Sequence, residues 1–242
     1  AETPTQGMPQ TASLPAPLFP SIAIENLKFR WVADRPYVFD DLTLTIPAGS
    51  RVALLGPSGA GKSSLAALLL KVIQPESGTI TFDGVNLSDI ETDSLRQRIA
   101  WLSQATHLFD DSIRANLLLG RPDATEEDLW RALEQAAIAD VVRNLPEGLE
   151  TWLGEGGIRL SGGQGRRIAL ARTLLTQAPI LILDEPATGL DAQTEQDFLE
   201  ILNRVTEGRV VIVIAHRLTG VDTLDCIWRL SCCRFFAATT QP

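Results

Sequence analysis

Apolar and polar residues alternate along Ile22-Ala-Ile-Glu-Asn-Leu-Lys-Phe-Arg-Trp31 and along Leu42-Thr-Leu-Thr-Ile46, the period of two expected of half-buried strands. Pro47-Ala-Gly49 then turns the chain into Arg51–Leu55, a short apolar strand that runs straight into a glycine-rich loop. The period becomes helical over Lys62–Val72, where Leu65, Leu68 and Leu69 share a face. Gly78–Phe82 with Asp83-Gly84 predicts a further strand and turn. The middle of the chain reads as helical. Thr125-Glu-Glu-Asp128 has the form of a capping box, and Leu129, Leu133, Ala136 and Ala137 recur at helical spacing. Ser161 stands where it would cap a helix running through Arg166, Ile168, Leu170 and Leu174. Ile180–Asp184 and Val210–Ala215 are apolar on both faces, as strands inside a parallel sheet are. Between them Gln193–Glu207 is amphipathic, with Phe198, Ile201, Leu202 and Val205 on one side and a stop at Gly208. Strands and helices thus alternate, which predicts an α/β fold with a parallel core sheet. An antiparallel β subdomain comes first, and a helical subdomain is inserted at about residues 107–165.

Bulk composition narrows the choices. The chain has 242 residues with 45 % hydrophobic content, enough for one large domain or two small ones. Its net charge of −9 disfavours electrostatic binding to nucleic acid or to an anionic membrane surface, and no nucleic-acid partner is expected. The longest apolar runs, Leu65–Leu70, Ile180–Leu183 and Val210–Ala215, are too short to cross a bilayer. Residues 1–20 are rich in Pro, Thr, Ala and Gln and read as a linker or disordered leader. The chain starts at Ala1 without a basic, apolar signal sequence and reads as a segment of something longer. Its three cysteines, Cys226, Cys232 and Cys233, lack zinc-site spacing and read as reduced thiols.

Several short runs carry chemistry. In Gly56-Pro-Ser-Gly-Ala-Gly-Lys62-Ser63, the glycines at 56, 59 and 61 let backbone N–H groups close on phosphates. The helix that follows directs its positive end at them. Lys62 can reach β- and γ-phosphate oxygens, and Ser63 can hold Mg²⁺. A chance Gly/Ser turn is the plainer alternative, disfavoured by the strand before and the helix after. Asp184 and Glu185 end an apolar strand, where ligands of α/β sheets gather. Asp184 suits Mg²⁺ and Glu185 suits polarising water; ordinary surface acids are the alternative. Gln104 follows the apolar segment Ile99–Leu102 and can ligate Mg²⁺ or position water, or it is a surface glutamine. His216, after a strand, can bond a γ-phosphate or be a solvated histidine, and His107 has no such context. Leu160-Ser-Gly-Gly-Gln164 reads as a backbone anion cradle at a helix start, or as a capped hinge. Trp31 can stack on adenine or pack an edge strand.

Taken in order, these pieces resemble the nucleotide-binding domain of an ATP-binding-cassette (ABC) transporter over about residues 22–230. On that resemblance Trp31 matches the adenine-stacking aromatic, and Gly56, Ser58, Gly59, Ala60, Gly61, Lys62, Ser63 and Ser64 belong to Walker A. Gln104 matches the Q-loop, and Ser161, Gly162, Gly163 and Gln164 the signature. Asp184 with Glu185 matches Walker B and its catalytic glutamate, Asp191 the D-loop and His216 the switch histidine. The stretches Phe109–Asn116 and Leu145–Gly156 are similar to exporter-type cassettes, which follow membrane helices on the same chain. Gly154-Glu155-Gly156 resembles the loop that meets the coupling helices. Thr188–Asp191 and His216–Gly220 are similar to the CydC half of heterodimeric exporters linked to cytochrome bd assembly.

The resemblance implies a head-to-tail dimer of cassettes at the cytoplasmic face of the cell (inner) membrane. Each ATP lies between Walker A of one cassette and the signature of the other. Lys62, Ser63, Gln104 and Asp184 would hold MgATP, Glu185 would activate water and His216 would steady the γ-phosphate. The expected partners are a second cassette and an exporter's transmembrane domain. The tail, residues 231–242, departs from the family by lacking a glycine turn and acidic helix, and Gly165 follows the signature where a polar residue is usual. Rival assignments are a DNA-maintenance ATPase, a translation-associated cassette and an importer subunit. The first needs a long coiled coil before the signature, which the interval is too short to hold.

Overall fold

The computed structural model describes residues 20–57, 59–105, 107–154, 160–206, 208–215, 224–231 and 234–238. The leader 1–19 therefore lies outside the described residues, as do Ser58, Glu155, Gly156, His216 to Gly220, Cys232 and Cys233.

The first strands, β1 (Ile22–Phe29) and β2 (Phe39–Ile46), pair antiparallel, and β4 (Ser77–Phe82) joins the other edge of β1. With the short β5 (Val85–Asn86) they form a four-stranded sheet in the order β2-β1-β4-β5. Their inward positions, Ile22, Ile24, Leu27 and Phe29, are the apolar members of the alternation, and all are buried. β1 ends at Phe29, so Trp31 leaves the strand and stands 61 % exposed.

Gly78 shows how tightly β4 meets β1. Its φ is +89°, and a Cβ there would lie 2.5 Å from the Asn26 carbonyl oxygen and 2.6 Å from Leu27 Cα, both main-chain atoms. Register shifts on β1 between Glu25 and Lys28 beside it. Gly78→Ala is expected to destabilise the chain by about 2–4 kcal/mol through backbone strain and overpacking, read as a lower urea midpoint.

The second sheet has six strands in the order β10-β9-β3-β8-β7-β6. β3 (Arg51–Leu55), β6 (Ile99–Leu102), β7 (Ile180–Asp184), β8 (Val210–Ala215) and β9 (Cys226–Ser231) run parallel, and β10 (Arg234–Ala238) closes the edge antiparallel to β9. The tail thus forms a hairpin without the glycine turn whose absence marked it as divergent; Phe235 pairs with Leu230 and Phe236 with Arg229.

Period-two alternation sends each central strand into two separate cores. Ile180, Ile182, Val210, Ile212 and Ile214 face the side of the antiparallel sheet and α1 (Lys62–Leu69). Leu181, Leu183, Val211 and Val213 face α3 (Ile113–Leu118), α4 (Glu126–Gln135), α5 (Ala139–Arg143), α6 (Gly162–Leu175) and α7 (Ala192–Val205). On the first side α2 (Thr92–Arg98) contributes Leu95.

Helix ends differ from the sequence pattern where the backbone turns left-handed. α1 stops at Leu69 because Lys71 has φ +56°, so Val72 lies beyond the helix and is exposed. Ala137 has φ +51° and is exposed, so it is not on the buried face of α4; Ala132 completes that face. The capping box of Thr125 with Asp128 forms as its spacing predicts.

Candidate nucleotide-binding site

Strand register brings the chemistry to one end of the parallel sheet. Leu55 pairs with Ala215, Asp184 with Ile214 and Leu102 with Leu183, so the loops after β3, β6 and β7 all leave at the same level. The loop after β3 needs glycine in particular at 61. Its φ is +100°, and a Cβ there would collide with Val38 Cγ1. The helix that follows opens at Lys62 without a side-chain cap, so its first N–H groups remain available.

Lys62 is only 5 % exposed, and its Nζ donates to the carbonyls of Gly56 (2.8 Å) and Pro57 (2.9 Å). The side chain curls over its own loop, where phosphate oxygens would replace those carbonyls. Burial lowers its pKa, against the opposing charges of Glu185 and Asp184. Ser63 Oγ donates to Asp184 Oδ2 at 3.1 Å across the gap between α1 and β7. This pair of hard oxygen ligands fits Mg²⁺, which keeps waters and phosphate oxygens in its shell and needs few protein ligands.

Asp184 is itself 4 % exposed, and its pKa is raised, by burial first and by the neighbouring Glu185 charge, against the lowering effects of Ser63, Lys62 and Arg166. The native carboxyl therefore holds its proton above the ordinary aspartate value, and stability falls as pH rises through that window. In metal-free buffer at neutral pH, Asp184→Asn is expected to match or exceed the parent in melting temperature. The same variant should lose the extra stabilisation that Mg²⁺ adds to ATP, which a thermal-shift series with chelator checks.

Glu185 adopts a left-handed backbone with φ +45°, a strained conformation for a side-chain-bearing residue. Its N–H donates to the Ile214 carbonyl at 2.8 Å, which ties the turn to β8. Gln104 Nε2 donates to Glu185 Oε2 at 2.8 Å, and Thr188 Oγ1 donates to the same oxygen at 3.1 Å. Gln104 and Glu185, 81 residues apart in the chain, thus meet directly.

Leu160–Gln164 lies elsewhere. Ser161 Oγ accepts from Gln164 N–H (3.2 Å), and Ser161 N–H donates to Gln164 Oε1 (3.1 Å), a capping box that starts α6 and carries it through the buried Gly165. Gly162 and Gly163 line an open cavity of about 270 Å³ together with Asp191 and Thr194. A Cβ on Gly163 would lie 2.7 Å from Thr194 Cγ2. Asp191 caps α7 by accepting from Thr194 N–H at 3.1 Å and Thr194 Oγ1 at 2.6 Å. None of the described residues lining this cavity comes from the phosphate loop.

The family model described as ABC transporter matches residues 39–188, which include the phosphate loop, Gln104, Ser161–Gln164 and Asp184-Glu185. The chain belongs to the ABC transporter family. It is 42 % identical over 204 residues to the uncharacterized ABC transporter ATP-binding protein YwjA of Bacillus subtilis, covering 83 % of this chain and 36 % of that protein. It is 44 % identical over 207 residues to the ATP-dependent lipid A-core flippase of Ralstonia nicotianae, covering 84 % and 35 %. Among solved structures, a bacterial Atm1-family ABC exporter with ATP bound superposes with a TM-score of 0.87 at 39 % identity, covering 95 % of this chain and 40 % of that one. The chain thus spans about a third of the length of the curated relatives it matches.

Within this ABC domain, Trp31 stacks edge-on against Phe29 (centroids 5.2 Å apart) and leaves most of its ring open. His216, Ser58 and most of the Gly154–Gly156 loop fall outside the described residues. No helix among the described residues is long and apolar enough to cross a membrane. Arg166 was legible only as a helix position, yet its side chain joins several segments of the site. Its guanidinium donates to the carbonyls of Pro186 (2.6 Å), Glu185 (2.7 Å), Ser103 (3.1 Å) and Gln104.

Proposed function

We propose that this chain is the ATP-hydrolysing motor of a membrane exporter and works as a head-to-tail dimer. The carrying observation is the separation of two half-sites. Lys62, Ser63, Gln104, Asp184 and Glu185 converge at one end of the sheet, whereas among the described residues the cavity at Ser161–Gln164 has no phosphate-loop residue in its lining. That cavity needs a nucleotide held by another cassette.

In this mechanism Trp31 stacks on adenine and the phosphate loop cradles the phosphates, with Lys62 exchanging its carbonyl partners for their oxygens. Ser63, Asp184 and Gln104 would hold Mg²⁺, which would neutralise phosphate charge when bound. Glu185 orients the attacking water and takes its proton, while Gln104 and Thr188 fix the carboxylate. His216 bonds the γ-phosphate, and Ser161, Gly162, Gly163 and Gln164 of the facing cassette complete the enclosure, with Asp191 at its edge. Most of the acceleration is positioning and electrostatics.

Similarity to lipid A-core flippases and to an Atm1-family exporter supports the exporter assignment and a place at the cytoplasmic face of the inner membrane, joined to a transmembrane domain. A finer reading, a CydC-like half of a heterodimer, rests on Thr188–Asp191 and His216–Gly220. ATP turnover per chain should rise with chain concentration as dimers form. A rate per chain independent of concentration, from a species that stays monomeric in sedimentation with MgATP, would refute the dimer.

A further inference from the structure

Arg166 sits in the first turns of α6, immediately after the capping box that shapes Ser161–Gln164. It is 2 % exposed, yet its planar guanidinium reaches two other segments of the site. One fork arm holds the carbonyls of Ser103 and Gln104, the segment that presents the Gln104 amide. The remaining N–H groups hold the carbonyls of Glu185 and Pro186, the turn that presents the Glu185 carboxylate. The Gln104–Glu185 side-chain bond joins those same two segments, so the pair is held both by its side chains and through its backbone. A rigid fork resists displacement of the segments it joins; its bonds to Glu185 and Pro186 are buried, so those two carbonyls would be left buried without this donor, while its bonds to Ser103 and Gln104 are partly buried.

We infer that Arg166 is a positioning residue that ties a cassette's own catalytic pair, Gln104 and Glu185, to the signature loop it offers to the facing cassette. This rests on the dimer reading above. Under that reading the three segments serve different nucleotides: Gln104 and Glu185 act on the chain's own ATP, and Ser161–Gln164 acts on its partner's. Arg166 is therefore a direct physical link between the two sites of one dimer. Its expected consequence is that a change at Arg166 in one cassette slows hydrolysis in the other.

The test uses two differently tagged copies of the full chain, sorted by tandem purification into mixed ATP-bound dimers. One copy carries Glu185→Gln, which silences its own site while its signature still serves the unmodified copy. Adding Arg166→Met to the silent copy should lower kcat at the unmodified copy's site about tenfold or more, with the KM for ATP unchanged. Arg166→Lys in the same place should fail to restore the rate, since one ammonium cannot bridge both segments. A copy that folds poorly lowers the yield of mixed dimer and not the turnover of each dimer, and if the Met variant cannot be purified the Lys variant decides alone. Turnover at the parental rate with either variant overturns the inference. If the Glu185→Gln parent forms no ATP-dependent dimer, the dimer reading falls and takes this inference with it. A normal parent dimer that is indifferent to Arg166 overturns this inference alone.

Discussion

Glu185→Gln is expected to lower ATP turnover by about 10²–10⁴-fold while leaving nucleotide binding intact. The amide is isosteric with the carboxylate and keeps an oxygen that can accept from Gln104 Nε2 and Thr188 Oγ1, the two donors that converge on Glu185 Oε2. What it cannot do is accept a proton from the attacking water. The bonds that hold the turn in its left-handed conformation come from the main chain, Glu185 N–H to the Ile214 carbonyl and Arg166 to the Glu185 carbonyl, so they survive the exchange. The variant should accumulate as an ATP-bound dimer, visible by gel filtration with ATP and absent with ADP. A variant that hydrolyses ATP at the parental rate would remove Glu185 from the base role.

Lys62→Met is expected to weaken ATP binding about tenfold to a hundredfold without destabilising the unliganded chain. The buried ammonium is satisfied there by the carbonyls of Gly56 and Pro57, and burial already disfavours its charge. Replacing it with an apolar side chain of similar length removes that desolvation cost along with the bonds, so the two changes offset. With ATP the balance differs, because charge-assisted bonds to phosphate contribute about 1.5–3 kcal/mol. At an ATP concentration about a hundredfold above the parental Kd, the ligand stabilises the parent by about 2.7 kcal/mol. A hundredfold weaker variant would gain only about 0.4 kcal/mol under the same conditions. A thermal-shift titration reads both quantities at once. An unliganded melting temperature well below the parent's would show instead that Lys62 is part of the fold.

The two groups of site residues differ in how they could be found. The phosphate loop is local: Gly61 must adopt φ +100° beside Val38, and the strand before it and helix after it are written in adjacent residues. Gln104 is the opposite case. Its neighbourhood in sequence is equally consistent with a surface glutamine, and only the parallel pairing of β6 with β7 places its amide 2.8 Å from Glu185. Arg166 is further from legibility, because its partners are main-chain carbonyls, which no residue type reveals. Helix ends were misplaced at Val72 and Ala137 because a left-handed residue, Lys71 and Ala137 itself, ends each helix without glycine to signal it. The pairing of β9 with β10 was not legible either, because the tail carries no glycine turn to announce a hairpin.

By itself the sequence determined the alternation of strands and helices, the two apolar faces of the central strands, the glycine-rich loop between β3 and α1, the acidic pair at 184–185, the capping box at Thr125 and the helix cap at Ser161. Each depends on residues close together in the chain, where period, glycine and capping chemistry act locally. Tertiary structure alone decided that Gln104 meets Glu185, that Ser63 meets Asp184, and that Arg166 binds the loops bearing Gln104 and Glu185. It also decided that Ser161–Gln164 opens on a cavity apart from the chain's own phosphate loop. These relations depend on strand order and register, which long-range burial of both sheet faces sets and no local stretch of sequence encodes.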